Sequence, residues 1–501
     1  MSVGKRKLDH LRRKLAERKV RGVRSTSRHE TFHVRHVRRT YDKAQGKFFF
    51  NISYQTAVKL TKRSLAVAEA FGLGIDEERK FTVLETELKI GQGDVVYITG
   101  DSGSGKSVLL RALKQDLGEE AVDIADMQVD HDKPLIETVG ATVEEALELL
   151  SRVGLNDAFL FLRTYDQLSD GQRYRYRVAK LLESGKQWWI LDEFAATLDR
   201  DTAKIVAFNL QRLSRQQNRT MFAATTHTDL FEDLNPSVHV HKRFGKEITV
   251  NYYPNEPAKE CSLTKEMRIE EGATKDWREL SVFHYRSHRI AAPRKIFCLK
   301  RGNELCGVIV YCYPPSTSFG RRLVLPHMPM RELNKKLSSI SRVVVHPKYR
   351  TIGLGSKLVQ ETLHLAGTEY VEMSAVMAKY NPFAEKAGMK KIIKQEPPKE
   401  ALAILKVLQS LGFNDQDLAS ERRILEKLQV LDRMSIQRIK QAFEKHNHPR
   451  FMKAFSHHLP FGAKEAYRKQ MENLNLEKLA HLIKICSFLM QTKVYLFWCR
   501  H

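Results

Sequence analysis

Eight residues constrain this chain most: Gly100-Asp101-Ser102-Gly103-Ser104-Gly105-Lys106-Ser107, set between the apolar run VVYIT and the helical run SVLLRALKQDL. The glycines let a backbone turn tightly enough to aim several N–H groups at one point. A helix starting at the end of the turn adds the positive pole of its dipole, so that point suits a phosphate. Lys106 would then reach the terminal phosphates of a bound nucleotide, and the Ser107 hydroxyl would ligate Mg²⁺. Strand, glycine turn and helix in this order are the start of a mostly parallel α/β sheet.

The pattern continues with the strands WWILDE and TMFAATTH, up to about Phe244. The first ends in two acids: Asp192 is placed to hold Mg²⁺ and Glu193 to polarise an attacking water. A glycine turn alone also serves as a purely structural turn. The second motif, in the right order, argues for a nucleotide site.

Leu168-Ser169-Asp170-Gly171-Gln172 resembles the LSGGQ signature of ABC-type ATPases, Leu198-Asp199 stands where that family has its D-loop, and His227 where it has its switch histidine. Gln128 is the candidate for the Q-loop glutamine, a contact to Mg²⁺ as well as to nucleotide. Phe71 or Phe81 is the candidate aromatic under adenine. The resemblance implies ATP and Mg²⁺ as ligands, cofactor contacts from the whole Gly100–Ser107 turn and from Ser169, Gly171 and Gln172, and catalytic roles for Glu193 and His227. In this family the signature loop completes another domain's ATP site, which implies a homodimer with two sandwiched ATP molecules. Two positions depart from the pattern: Asp170, usually glycine, and Phe194, usually proline. The first is expected to alter how the signature loop meets the γ-phosphate, the second to make little physical difference. Only 60 residues separate Ser107 from Leu168, room for a short helical subdomain but not for a long coiled coil.

A second glycine turn follows another strand, in SRVVVHPKYRTIGLG from Ser341 to Gly355. Glycines at the start of a helix, with an arginine beside them, again favour a bound anion. Arg350-x-x-Gly353-x-Gly355 resembles motif A of the GNAT acyltransferases, whose backbone N–H groups bind the pyrophosphate of acetyl-coenzyme A. The resemblance implies acyl-CoA contacts from Val343, Val345, Arg350, Thr351, Ile352, Gly353, Leu354 and Gly355. Where the family often has a general-acid tyrosine, this chain has Ala384, in Phe383-Ala384-Glu385-Lys386-Ala387-Gly388-Met389. Tyr380 is the nearest phenol and Glu372 the nearest strand acid, since a base needs only to reach the amine directly or through one water. The bland alternatives are that Tyr380 caps a strand end and that Glu372 faces solvent. The two domains together resemble a small prokaryotic family of soluble ABC-type ATPases fused to a GNAT domain, over about residues 60–400.

The expected organisation of the 501 residues is a basic arm over 1–50, an ABC-type P-loop nucleotide-binding domain over 51–250, a GNAT-like α/β domain over 251–396 and a helical, basic C-terminal region over 397–501. Net charge is +25, and residues 1–50 hold 16 Lys and Arg against 4 Asp and Glu. That excess is an electrostatic footprint for nucleic acid, or else a solvated tail or a surface for acidic protein. Tyr41, Phe48, Phe49 and Phe50 would stack on bases or form the first core strand. His29, His33 and His36 lack the carboxylate or thiolate partner that a metal site would need. SFLMQTKVYLFWC near the C-terminus reads first as a core or dimer-packing element. Six cysteines without a C-x-x-C pair read as reduced core thiols. No window of about 18 apolar residues and no secretory signal is visible, so a cytoplasmic protein without an integral membrane segment is expected.

Two functions are open. In one, an ATPase is coupled to an acyl-CoA-dependent N-acyltransferase acting on or near nucleic acid. In the other, a mechanochemical nucleic-acid or ribonucleoprotein-binding ATPase carries a non-catalytic GNAT module. A transporter ATPase subunit with a separate membrane partner is the remote third.

Overall fold

The computed structural model describes residues 32–56, 61–72, 80–155, 157–284, 290, 292–375, 382–414, 416–446, 448–451, 464–490 and 492–500. The chain divides into two compact units, one of Met1–Met267 with Pro347–Ile352, the other of Arg268–His346 with Gly353–His501.

Unit 1 has two sheets. Strands β1 (Phe32–Asp42), β2 (Lys47–Thr56) and β3 (Lys80–Lys89) form an antiparallel sheet in the order β1-β2-β3. A six-stranded sheet combines β4 (Val95–Thr99), β5 (Ala121–Asp123), β6 (Trp188–Leu191), β7 (Thr220–Thr225), β8 (Val238–Lys242) and β9 (Ile248–Tyr252), in the order β5-β6-β7-β4-β8-β9. All its pairings are parallel except β8 with β9. Every residue of β4, β6 and β7 is buried, as expected of parallel strands covered on both faces. The helices that matter for the site are α1 (Lys106–Leu117), α2 (Asp170–Glu183) and α3 (Arg200–Gln216).

The alternation in KFFFNI turns Phe48, Phe50 and Ile52 into a core with Leu84, Leu88 and residues of α1 such as Leu109 and Leu113. Phe48 also meets Trp188 edge to face, with centroids 6.3 Å apart. Of the two roles open to these aromatics, Phe48 and Phe50 take the core one. The boundary expected at residue 50 therefore falls inside a sheet: β1 and β2 belong to unit 1, and only residues 1–31 of the basic stretch precede it. Those residues, His29 among them, lie outside the described residues.

Unit 2 is built on one seven-stranded sheet: β10 (Met267–Glu271), β11 (Pro293–Arg301), β12 (Glu304–Cys312), β13 (Leu337–Val345), β14 (Tyr370–Ala375), β15 (Lys390–Gln395) and β16 (Lys493–Cys499). Its order is β10-β11-β12-β13-β14-β16-β15, with β13 and β14 parallel. Helix α4 (Leu354–Thr362) follows β13. Between β15 and β16 the chain leaves the sheet for helices α5 (Lys399–Ser410), α6 (Glu421–Gln429), α7 (Arg433–Lys445), α8 (Lys464–Glu472) and α9 (Leu476–Leu489). They close around their own core, including Ile404, Leu408, Ile424, Leu428, Ile439, Phe443 and Ile483.

The expected boundary at residue 396 thus needs correction. The last strand of the GNAT-like sheet is β16, paired with β14 on one side and β15 on the other. The helices are an insertion, not a tail. The apolar run VYLF supplies the physical reason: Val494, Tyr495, Leu496 and Phe497 are all buried, so side chains on both faces of this segment are covered, as suits an interior strand of a sheet. Five cysteines are buried and Cys499 is half-buried.

Candidate functional site

The nucleotide turn leaves the C-terminal end of β4, Asp192 follows the end of β6, and His227 follows β7, which lies between them in the sheet. Parallel register, with Thr99 opposite Thr225 and Leu191 opposite Ala223, brings all three to one edge. Within the turn Gly100, Gly103 and Gly105 have φ of 144°, 77° and 104°. A Cβ at Gly100 would lie 2.0 Å from the carbonyl oxygen of Lys242, so glycine is required there by space as well as by dihedral.

The Lys106 ammonium donates to the carbonyl oxygens of Gly100 (2.7 Å) and Asp101 (2.8 Å). Burial pushes its pKa down, while Asp192 and Asp101 oppose that shift. The Ser104 hydroxyl is buried with no hydrogen-bond partner. A buried hydroxyl left unpaired is costly, and an anion in the turn would pair it. The turn therefore fits a phosphate group. Ser107 lies in the first turn of α1, and Asp192 is half-buried at the same sheet edge. Mg²⁺ commonly takes one or two protein oxygens and completes its shell with phosphate and water, which suits this pair.

Glu193 is exposed, at φ 49°, and its N–H donates to the Asp192 carboxylate (3.0 Å). Ala195 is left-handed too, at φ 55°. Two non-glycine residues in that region mark stored strain next to the acids. The expectation that Phe194 would make little difference is corrected here. Its N–H donates to the carbonyl of Ala224 (2.7 Å), a bond that proline cannot make, and its ring is fully buried.

Ser169 is the N-cap of α2, in a capping box with Gln172, whose side chain accepts from the Ser169 N–H (3.1 Å). Asp170 is exposed and its carboxylate lies 3.6 Å from Arg173. Gly171 packs against Leu198, since a Cβ there would meet the leucine at 3.3 Å. Asp199 caps α3 by accepting from Thr202 N–H (3.1 Å). His227 is half-buried, and its carbonyl accepts from the Tyr97 hydroxyl. Gln128 is exposed in the segment after β5. Phe71 and Phe81 are both exposed. Sequence reasoning missed the turn after β8, where the Phe244 ring passes 3.8 Å from the Gly103 Cβ position.

In unit 2, β13 pairs with β14 from Leu337 to Ile340, and Val343 and Val345 lie further along β13, toward the glycine turn. Gly353 is the N-cap of α4, at φ 87°, and no atom of the described residues lies within 4 Å of its Cβ position. Leu354 is buried behind it, and Gly355 faces the Phe383 ring at 3.5 Å. The open glycine at a helix start fits the pyrophosphate of an acyl-CoA.

Arg350, Thr351 and Ile352 are grouped with unit 1. Lys348 there lies 2.6 Å from Asp201, Thr351 (φ 77°) accepts from Asn209 (2.7 Å), and Ile352 is buried. Burial pushes the Arg350 pKa down, with Asp157 opposing.

Glu372 does not face solvent. It is buried on β14, and Arg321 grips both its oxygens, at 3.0 and 2.6 Å. The Tyr495 hydroxyl adds a third bond at 2.8 Å. A carboxylate held on both oxygens by a guanidinium is a poor proton acceptor for a substrate amine, so the role of base expected of it is corrected to that of a structural anchor. Neither partner was found from sequence, because both lie far from Glu372 in the chain. Tyr380 lies outside the described residues. Ala384 is buried in the short helix Phe383–Lys386.

Residues 262–388 match the Acetyltransferase (GNAT) family. Among curated relatives, the methionine import ATP-binding protein of Xanthomonas oryzae pv. oryzae is 29% identical over 182 residues, 29% of this chain and 53% of that protein. The lipoprotein-releasing system ATP-binding protein of Caulobacter vibrioides is 28% identical over 224 residues, 37% of this chain and 90% of that one. This chain joins an ABC-type ATPase domain to a GNAT domain. It spans about half the length of the methionine-import relative, at 53%. A solved structure of cbiO1 from Clostridium perfringens covers 33% of this chain and 81% of its own, at 20% identity and a TM-score of 0.28. A dimeric ATP-binding cassette bound to ADP and Pi covers 40% and 95%, at 17% identity and a TM-score of 0.30. Among the described residues of this ATPase–GNAT chain, no helix is long and apolar enough to cross a membrane.

Proposed function

We propose that the chain hydrolyses ATP at the Gly100–Ser107 turn and transfers an acyl group from acyl-CoA to an amine at the Arg350–Gly355 turn, on or near nucleic acid. The observation that carries the first part is the buried, partnerless Ser104 hydroxyl, in the same glycine turn as Lys106. Lys106 would leave its two carbonyl partners for the terminal phosphates, Ser107 and Asp192 would hold Mg²⁺, and Glu193 would orient the attacking water, with His227 beside it. One signature loop per chain supports a homodimer, Ser169, Gly171 and Gln172 of each copy completing the other's site. A cytoplasmic setting accords with this reading.

At the second turn an amine nitrogen would attack the thioester carbonyl. A C–N bond forms, the C–S bond breaks, and the amine proton ends on the departing thiolate, so coenzyme A leaves as the thiol. Tyr380 is the remaining candidate for handling that proton, with Glu372 reserved as an anchor. Phosphate release from ATP and acetyl-CoA titration calorimetry on the whole chain test the two halves separately. A folded protein without ATPase activity sinks the first, and one without acetyl-CoA binding sinks the second.

Ala384 and the ion-paired Glu372 favour the other reading, a nucleic-acid-binding ATPase whose GNAT fold does no chemistry. It predicts ATP turnover with no acyl-CoA binding. The curated relatives named for import and release keep a transporter subunit as a third reading, tested by whether a membrane protein co-purifies.

A further inference from the structure

The helical insertion has a definite place. Strand β14 runs antiparallel to β16, with Ala375 opposite Val494, and β15 does the same, with Gln395 opposite Lys493. β13 is parallel to β14. So β13, β14 and β15 all end at one edge of the sheet. At that edge the chain departs toward the acyl-CoA turn from Val345 and into the helices from Gln395, returning at Lys493. The helical insertion thus enters and leaves at the sheet edge from which the acyl-CoA turn departs.

One helix of the insertion carries a distinctive face. α7 begins after the three-residue turn Val430-Leu431-Asp432 and buries Ile439, Ala442 and Phe443. Its opposite side exposes Met434, Gln437, Arg438, Gln441 and Lys445 at helical spacing, with Arg433 alongside. No carboxylate lies on this stripe: Glu444 is turned aside to Arg468 (3.0 Å), and Asp432 is spent capping the helix through Ser435 N–H (2.9 Å). Arg433, Arg438 and Lys445 form no ion pair among the described residues. The stripe thus carries cations and glutamines without a carboxylate among them, a face complementary in charge to an outside polyanion.

We propose that this insertion is the acceptor-docking module of the GNAT domain, and that the exposed face of α7 binds RNA. The proposal rests on the transferase reading of the Arg350–Gly355 turn. Arg and Lys neutralise phosphates, while Gln and Arg side chains can bond base edges. RNA is the occupant the chemistry favours, because an acceptor amine must be free of base pairing, and unpaired bases are what folded RNA displays. Duplex DNA would have to flip a base out at a cost of about a few kcal/mol.

The test is fluorescence anisotropy of the full chain with a labelled RNA hairpin bearing an unpaired loop, across a salt series, with duplex DNA and polyglutamate as competitors. The triple variant Arg433→Ala/Arg438→Ala/Lys445→Ala should bind the hairpin at least about tenfold more weakly and lower the log–log salt slope by about 2, roughly 0.7 for each single-strand phosphate that is no longer neutralised. Its thermal midpoint should stay unchanged, the three side chains being exposed. A protein lacking residues 1–31 should keep the triple variant's defect distinguishable, with a further loss on combining the two. Unchanged affinity and slope in the triple variant, no binding of the hairpin by the wild type, or stronger competition by duplex DNA or polyglutamate would each overturn the assignment. Acetyl-CoA calorimetry on the same samples reports the transferase reading independently, so the two failures cannot be confused.

Discussion

The two glycine turns of this chain place a helix N-terminus after a parallel strand, yet they differ in how much of their surroundings is already fixed. At Gly100 the neighbouring backbone of Lys242 comes within 2.0 Å of a Cβ position, and Lys106 is already folded onto two carbonyls. At Gly353 no atom of the described residues lies within 4 Å of the Cβ position. The first turn is a preformed mould whose glycines are demanded by the protein itself. The second is open, and its glycine leaves space that only a ligand would use. Crowding without ligand marks pre-organisation, and vacancy at a helix start marks approach.

Substitutions can break or sharpen this contrast. The largest expected effect is on catalysis: Lys106→Ala should lower ATP hydrolysis by about 10²-fold or more, measured as phosphate release, with acetyl-CoA binding retained. Next is Glu372→Gln. It leaves Arg321 buried without its counter-charge and should cost about 3 kcal/mol or more, read from chemical denaturation. A variant as stable as wild type would show that the pair does not anchor β14. Gly100→Ala should cost about 2–3 kcal/mol, since it forces a side chain both into a φ of 144° and against backbone. Gly353→Ala meets no neighbour and should cost only about 1 kcal/mol for its φ of 87°, while acetyl-CoA binding weakens. Equal destabilisation by the two alanines would erase the distinction between mould and open turn.

The smallest effect concerns pH. His239 bonds the Thr99 hydroxyl (2.9 Å), which also meets His241 (3.0 Å) just before the nucleotide turn. Burial first, and then His241, push the His239 pKa down. The unfolded chain therefore binds this proton more readily, and the stability contributed by neutral His239 is present above about pH 6.5 and lost below it, as pH falls toward and through the lowered folded-state pKa. Denaturation of His239→Gln should show a shallower loss between pH 7 and 5 than wild type.

Much of this was legible in sequence because the decisive signals are local. Gly100–Ser107, Trp188–Glu193 and Leu168–Gln172 each sit within one strand, turn or helix start, and the order of elements pointed to the parallel sheet around them. What escaped depends on long-range pairing. Phe48 and Phe50 read equally well as base-stacking groups or core until β2 is seen between β1 and β3. SFLMQTKVYLFWC reads as a core or dimer-packing element, but nothing near it says that it holds a strand whose partners are β14 and β15, with a whole helical insertion intervening. Glu372 read as a candidate base, or else as a solvent-facing acid, because Arg321 and Tyr495 lie 51 and 123 positions away. Phe194 read as a neutral change from proline because the carbonyl that its N–H meets belongs to another strand.

The central claim is that one chain holds two separate anion sites, one for ATP and one for acyl-CoA. Titration calorimetry of acetyl-CoA into the full-length wild type and into Gly353→Glu, with ATP hydrolysis followed on the same samples, tests it most directly. Two separate sites give saturable acetyl-CoA binding that is lost in the variant while ATP turnover persists. Folded wild-type protein that hydrolyses ATP and gives no acetyl-CoA binding would contradict it.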